Sequence, residues 1–137
     1  MPVRSLNSSV MKWPKRKTVE AALRLWAEGL ENRSIAAVGY FGSYSRDDAG
    51  VGSDLDVIML LHPNANEIAQ RPFEQRGLAF DFCAIPVPVD VIVYTLEEWT
   101  RLEIVSPKFY KTLRLELIWV WSGFKRDGLA EIRRSAL

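Results

Sequence analysis

Tyr40 to Leu61 reads YFGSYSRDDAGVGSDLDVIMLL, and the fold turns on how this stretch is parsed. An apolar run that starts at Ile35 ends at Phe41. It breaks at Gly42-Ser43 and gives way to a polar loop holding Gly50 and Gly52. A second apolar run, Leu55 to Leu61, is opened by Asp54-Leu55-Asp56. Strand, turn and strand is the simplest parse. Strand side chains alternate with period two, so Asp54 and Asp56 share one face while Leu55, Val57, Met59 and Leu61 share the other. Two neighbouring carboxylates at the start of a buried strand repel each other and lose hydration unless a cation sits between them. Mg2+ suits that place, because it takes hard oxygen ligands and leaves room for phosphate oxygens. Gly42-Ser43 offers backbone N–H groups and a hydroxyl to a phosphate, the more so if a helix starts there. A phosphate holder followed by Asp-x-Asp outlines a phosphoryl or nucleotidyl transfer site.

Asp-x-Asp alone also fits a strand edge with solvated carboxylates. Two further residues favour the site. Ser53 directly precedes Asp54, and Asp90 lies inside VPVDVIVY, where an acid between Val89 and Val91 is costly in a core without a cationic partner.

At these residues the chain resembles the DNA polymerase beta-like nucleotidyltransferases, and within them the minimal nucleotidyltransferase (MNT) branch. The resemblance rests on Gly42-Ser43, a gap of ten residues to Asp54-x-Asp56, Arg46, Ser53 and the third carboxylate Asp90, and it spans roughly residues 18 to 121. One position departs from the pattern. Members often carry glycine after the arginine, and Asp47 stands here. The resemblance implies an α/β (α+β) nucleotidyltransferase fold, a small mixed sheet with helices packed mainly on one face. It implies transfer of a nucleoside monophosphate from an NTP, ATP in the favoured reading, to a hydroxyl with release of pyrophosphate. Asp54 and Asp56 would bind the Mg2+ that carries the triphosphate. Asp90 would help hold a second ion and activate the acceptor hydroxyl or act as its base. Gly42 and Ser43 would position the β- and γ-phosphates, with Ser53 beside them. Arg46 would neutralise triphosphate charge, or simply lie on a helix surface. MNT proteins are often paired with a HEPN-domain RNase toxin, so the implied role is an antitoxin that modifies its partner. An antitoxin that blocks by contact, and a small-molecule nucleotidyltransferase working as a homo-oligomer, are the alternatives.

The rest of the sequence agrees with that class. At 137 residues, 48% hydrophobic and 26% charged, it reads as one soluble globular domain. Neither a membrane span nor a signal peptide is evident, which suits the cytoplasm. The one cysteine, Cys83, excludes an internal disulfide and a cysteine metal cluster, and is expected to be buried. The formal charge of +1 hides a segregation: residues 18 to 121 hold nine basic and fifteen acidic residues, whereas Arg4, Lys12, Lys15, Arg16 and Lys17 crowd the first seventeen without an acid. An acidic body argues against direct nucleic-acid binding. Residues 1–16 read as a basic, poorly ordered arm, 17–123 as the nucleotidyltransferase domain and 124–137 as a tail with helical character.

Along the chain, Thr18 reads as the N-cap of a helix to Glu31, whose Val19, Ala22, Leu23, Trp26 and Leu30 share a face. Strands are expected at Ile35–Phe41, Asp54–Leu61, Val87–Tyr94 and Leu117–Trp121. A helix is expected at Arg71–Phe82. Thr95 to Glu98 is a capping box opening a helix to Glu103, and Ser106-Pro107 starts another that runs to Arg114. His62, the only histidine, falls at the far end of the second strand from the carboxylates. Phe109, Tyr110, Trp119 and Trp121 read as core packing, with a base-stacking or interface role as the alternative.

Overall fold

The run Leu55–Leu61 is apolar on both faces once Asp56 is passed, so it belongs at the centre of a sheet covered on both sides. A computed structural model of the chain, which describes residues 13–30 and 34–123, places it there. Four strands, β1 (Ile35–Phe41), β2 (Leu55–Leu61), β3 (Val89–Thr95) and β4 (Ile118–Ser122), form one sheet in the order β3-β2-β1-β4. β1 runs antiparallel to β2, with Phe41 opposite Asp56 and Ile35 opposite Leu61. β4 returns antiparallel along the other side of β1. β3 is parallel to β2, pairing Asp56 with Asp90 and Leu61 with Thr95. A parallel pair needs a crossover connection, and residues 62–88 supply it.

Helix α1 (Arg16–Glu28) lays Val19, Leu23 and Ala27 on one face of the sheet, against Val38, Tyr40, Val57, Met59 and Val93. The opposite face carries Ala37, Ile58 and Leu60 beneath Trp99, Leu102 and Leu113. Those last three come from α3 (Leu96–Thr100), α4 (Leu102–Val105) and α5 (Pro107–Glu116). The expected cover mainly on one face is therefore shared between two faces, because β2 has apolar side chains to bury on each. The register irregularity between Ile35 and Ala37 lets Ile35 and Val38 point to the α1 side while Ala36 and Ala37 point to the other.

Several local expectations change. Helix α1 begins two residues before Thr18, with Lys15 at the cap position and no side-chain cap, so Thr18 is not the N-cap. Trp13 packs on the core and Arg16 opens α1, so residues 13–16 join the folded unit and not the arm. Residues 1–12, most of the basic arm, and the tail 124–137 lie outside the described residues. The single helix expected at Arg71–Phe82 is replaced by a short α2 (Asn66–Ala69) and a 3-10 segment, Phe73–Ala79. Pro72 stands between them, and a Cβ on Gly77 would meet Val91 Cγ1 at 2.5 Å, so the segment approaches β3 too closely for a regular helix with an ordinary side chain there. The capping box forms as read: Thr95 Oγ1 accepts from the Glu98 N–H and Glu98 accepts from the Thr95 N–H. Its helix stops at Thr100 and resumes as α4 after Arg101. Cys83 is exposed, correcting its expected burial. Among the described residues no helix is long and apolar enough to cross a membrane.

Candidate active site

β1 ends at Phe41, and the chain turns at once through a 3-10 segment, Gly42–Tyr44. Gly42 has φ +80°, the left-handed region in which glycine carries no penalty. A Cβ there would lie 2.1 Å from Asp56 Oδ2, so the backbone of the turn presses against that carboxylate. The turn is knit by its own main chain: the Arg46 N–H donates to Gly42 O at 3.0 Å and the Asp48 N–H to Ser43 O at 3.0 Å. Asp47 closes it with φ +63°. The residue that departs from the family pattern thus adopts the left-handed backbone that a glycine would take, which aspartate tolerates better than most residues.

After the loop, the Ser53 hydroxyl accepts from the Gly50 N–H at 2.9 Å and its N–H donates to Gly50 O at 3.0 Å, fastening the turn that delivers Asp54. The Leu55 N–H donates to Pro88 O at 2.8 Å and holds the starts of β2 and β3 level. Asp56 and Asp90 are then direct neighbours in the parallel ladder and share the face of α5. Asp54 and Asp90 are exposed and Asp56 is half-buried. Asp90 is therefore not an acid inside the core, as its flanking valines suggested. It stands at the solvent end of an edge strand.

Burial raises the Asp56 carboxyl above the ordinary aspartate value, and the negative charges of Asp90 and then Asp54 raise it further. Arg46 opposes them, and Glu116 adds to them. Arg46 does not pair with Asp56. Its Nη1 donates to both carboxylate oxygens of Glu116 at 3.1 Å, and its Nε to Asp48 Oδ2 at 3.2 Å. Three carboxylates thus gather at one end of the sheet, and among the described residues none of them forms an ion pair. This all-oxygen donor set, open to solvent, fits Mg2+ in its chemistry. Among the described residues no three His, Cys, Asp or Glu side chains are grouped closely enough to hold a metal ion as they stand, so coordination would need Asp54, Asp56 and Asp90 to reorient.

Glu116 was not a candidate from the sequence. It is the last residue of α5, and its side chain reaches under the turn to accept from the Gly42 N–H at 3.0 Å as well as from Arg46. The Ser45 hydroxyl donates to the Glu116 carbonyl. No sequence spacing signals this, since seventy residues separate Glu116 from Arg46. The aromatic side chains turn inward. Phe109 packs edge-on to Phe41 with ring centroids 5.4 Å apart, and Trp119 meets Trp99 at 5.6 Å. Tyr110, Trp119 and Trp121 are half-buried against the two core clusters. His62 sits beyond the far end of β2 beside Asn64, away from the carboxylates.

Residues 16–120 match the family profile described as Nucleotidyltransferase domain. Among proteins with curated functions, none matches the chain. Solved structures with a similar chain trace include a protein from Sulfolobus solfataricus described as a nucleotidyltransferase, with 20% identity, TM-score 0.47, and coverage of 79% of this chain and 80% of that one. A toxin-antitoxin crystallised with AMP-PNP gives 17% identity and TM-score 0.49, covering 89% of this chain and 84% of that one. A mutant of the toxin-antitoxin MntA-HpeT gives 16% and 0.48, with the same coverage of 89% and 84%.

Proposed function

Because the chain belongs to the Nucleotidyltransferase domain family, its chemistry is nucleotidyl transfer, and we propose that it moves AMP from ATP to a protein hydroxyl on a HEPN-type RNase partner and so acts as that partner's antitoxin. The observation that carries the transferase site is the meeting of Asp54, Asp56 and Asp90 at one sheet end, directly beneath the Gly42–Ser43 turn. The choice of acceptor and partner rests on the MNT resemblance of the same motif.

In this reading the acceptor oxygen attacks the α-phosphorus, the bond from that phosphorus to the bridging oxygen of the β-phosphate breaks, and pyrophosphate leaves. Bound Mg2+ would neutralise the phosphate oxygens and the developing charge. Asp54 and Asp56 would hold the ion that accompanies the triphosphate, and Asp90 would help hold a second ion. Asp90, exposed at the strand end, would take the proton from the acceptor hydroxyl. Gly42 and Ser43 would orient the terminal phosphates, Arg46 would offset their charge, and Ser53 would keep the approach to Asp54 in shape. Asp54 and Asp90 are exposed to solvent, as transfer to a hydroxyl presented on another protein would require.

The test is intact-mass spectrometry of whatever co-purifies with the tagged chain, for the wild type and for Asp56→Asn. A helical partner that gains the mass of one adenylyl group only with the wild type is the expected outcome. A partner bound equally by both and never modified would make this an antitoxin that acts by contact. The absence of any partner would shift the reading to a small-molecule acceptor.

A further inference from the structure

Two of the groups assigned to the substrate phosphates already hold an anion, and that anion belongs to the protein. The Gly42 N–H and the Arg46 guanidinium converge on the carboxylate of Glu116, at 3.0 Å and 3.1 Å. Backbone N–H and arginine on one carboxylate is the donor set that a phosphate takes, with charge-assisted bonds of the same kind. The Glu116 side chain is 17% exposed, so it is fixed beneath the turn yet borders solvent. Its backbone is anchored independently, because its carbonyl accepts from Ser45 and α5 ends there. A change of side-chain rotamer can therefore withdraw the carboxylate without moving the helix.

We propose that Glu116 is a positioning residue that stands in for a substrate phosphate: it keeps the Gly42 N–H and Arg46 aimed at one point, and triphosphate binding exchanges its carboxylate for a phosphate oxygen. This rests on the nucleotidyl-transfer reading of the same site. The exchange lowers apparent nucleotide affinity, since the donors are free only when Glu116 has swung away. It also selects for ligands that bring enough negative charge to compete.

The experiment measures equilibrium binding of MgATP, and of adenosine as a phosphate-free control, to the wild-type chain and to Glu116→Gln, with thermal unfolding of both. Glutamine keeps an oxygen to accept from the Gly42 N–H but gives up the charge that holds Arg46. The expected result is MgATP binding to Glu116→Gln tighter by on the order of tenfold, about the worth of one charge-assisted hydrogen bond, with adenosine binding unchanged. Equal or weaker MgATP binding by a folded Glu116→Gln protein would overturn the exchange while leaving the nucleotide site in place. An equal gain for adenosine would also overturn it, since the effect would then be general loosening of the loop. If neither protein bound MgATP, the nucleotide reading itself would fall, and the exchange with it. Should Glu116→Gln unfold, Glu116→Asp serves instead: its shorter reach loosens the grip on Arg46, and the same tightening for MgATP alone is expected.

Discussion

Asp56 holds its proton more tightly than an ordinary aspartate because it is half-buried and faces Asp90 and Asp54, with Glu116 behind them and only Arg46 in opposition. A carboxyl whose folded pKa is raised costs stability once the pH exceeds its unfolded value. That cost is complete above the folded pKa and is relieved as the pH falls back through it. Asp56→Asn should therefore abolish nucleotidyl transfer while raising the melting temperature of the metal-free protein at neutral pH. The difference from wild type should shrink on acidification, and scanning calorimetry across that range would show it. A lower melting temperature for the variant at neutral pH would mean that Asp56 has a favourable partner. Gly42 is constrained from two sides, by its φ of +80° and by the 2.1 Å approach of a Cβ to Asp56. Gly42→Ala is expected to lose about 1–2 kcal/mol from the backbone alone, and more from the clash, together with transferase activity. Chemical denaturation with a parallel activity assay would measure both.

At the scale of elements, the edge strand β3 is guarded by a residue with no part in the chemistry. Arg76, from the 3-10 segment, is buried. Its Nη1 donates to Val93 O at 3.1 Å, filling an outward-facing carbonyl of the edge, and its Nη2 to Ala69 O at 3.0 Å. The same two nitrogens grip the Glu98 carboxylate at 2.6 Å and 3.2 Å. Glu98 also completes the capping box of α3, so one arginine ties the crossover, the edge strand and a helix start together. Burial pushes the Glu98 carboxyl up, but Arg76 and the Thr95 backbone outweigh it and hold it below the ordinary value. That pair therefore stabilises the fold above the ordinary glutamate pKa, and the contribution is lost as the pH falls through the depressed value. Arg76→Met should cost about 2–3 kcal/mol in urea unfolding. It should also flatten the acid limb of the stability profile, whereas an unchanged limb would show that Glu98 owes its low pKa to other groups.

For the molecule as a whole, the sheet separates two apolar layers that, among the described residues, share no side chains. Ile35 lies in the layer under α1, and Ile58 in the layer under α3 to α5. Truncating each by one methyl group, Ile35→Val and Ile58→Val, should cost about 0.5–1.5 kcal/mol apiece. Because the side chains face opposite sides, the double variant should equal their sum within about 0.5 kcal/mol. A larger interaction energy would mean that strain passes through the sheet. The two layers also account for the position of the site. Both faces of the sheet are occupied by helices, so the carboxylates gather at its end, where β2 and β3 begin level and the turn after β1 closes over them.

Local pattern alone was enough for β1, whose bounds follow from its apolar run, and nearly so for β2, β3 and β4. It was also enough for the Thr95 capping box and the Pro107 helix start, because each depends on neighbours within a few residues, whereas Asp54 falls just before β2 and not in it. The same pattern misjudged Asp90, since flanking valines report alternation but not whether a strand lies at the centre or the edge. It missed the 3-10 segment because the features that shape it, the contact of Gly77 with Val91 and the pull of Glu98 on Arg76, come from residues far along the chain. Glu116 was out of reach for the same reason. Only the antiparallel return of β4 along β1 carries the end of α5 beneath the Gly42 turn. The sequence by itself determined which residues can face one another along a strand. Strand order and register, which require the whole sheet to assemble, decided which charges meet across it.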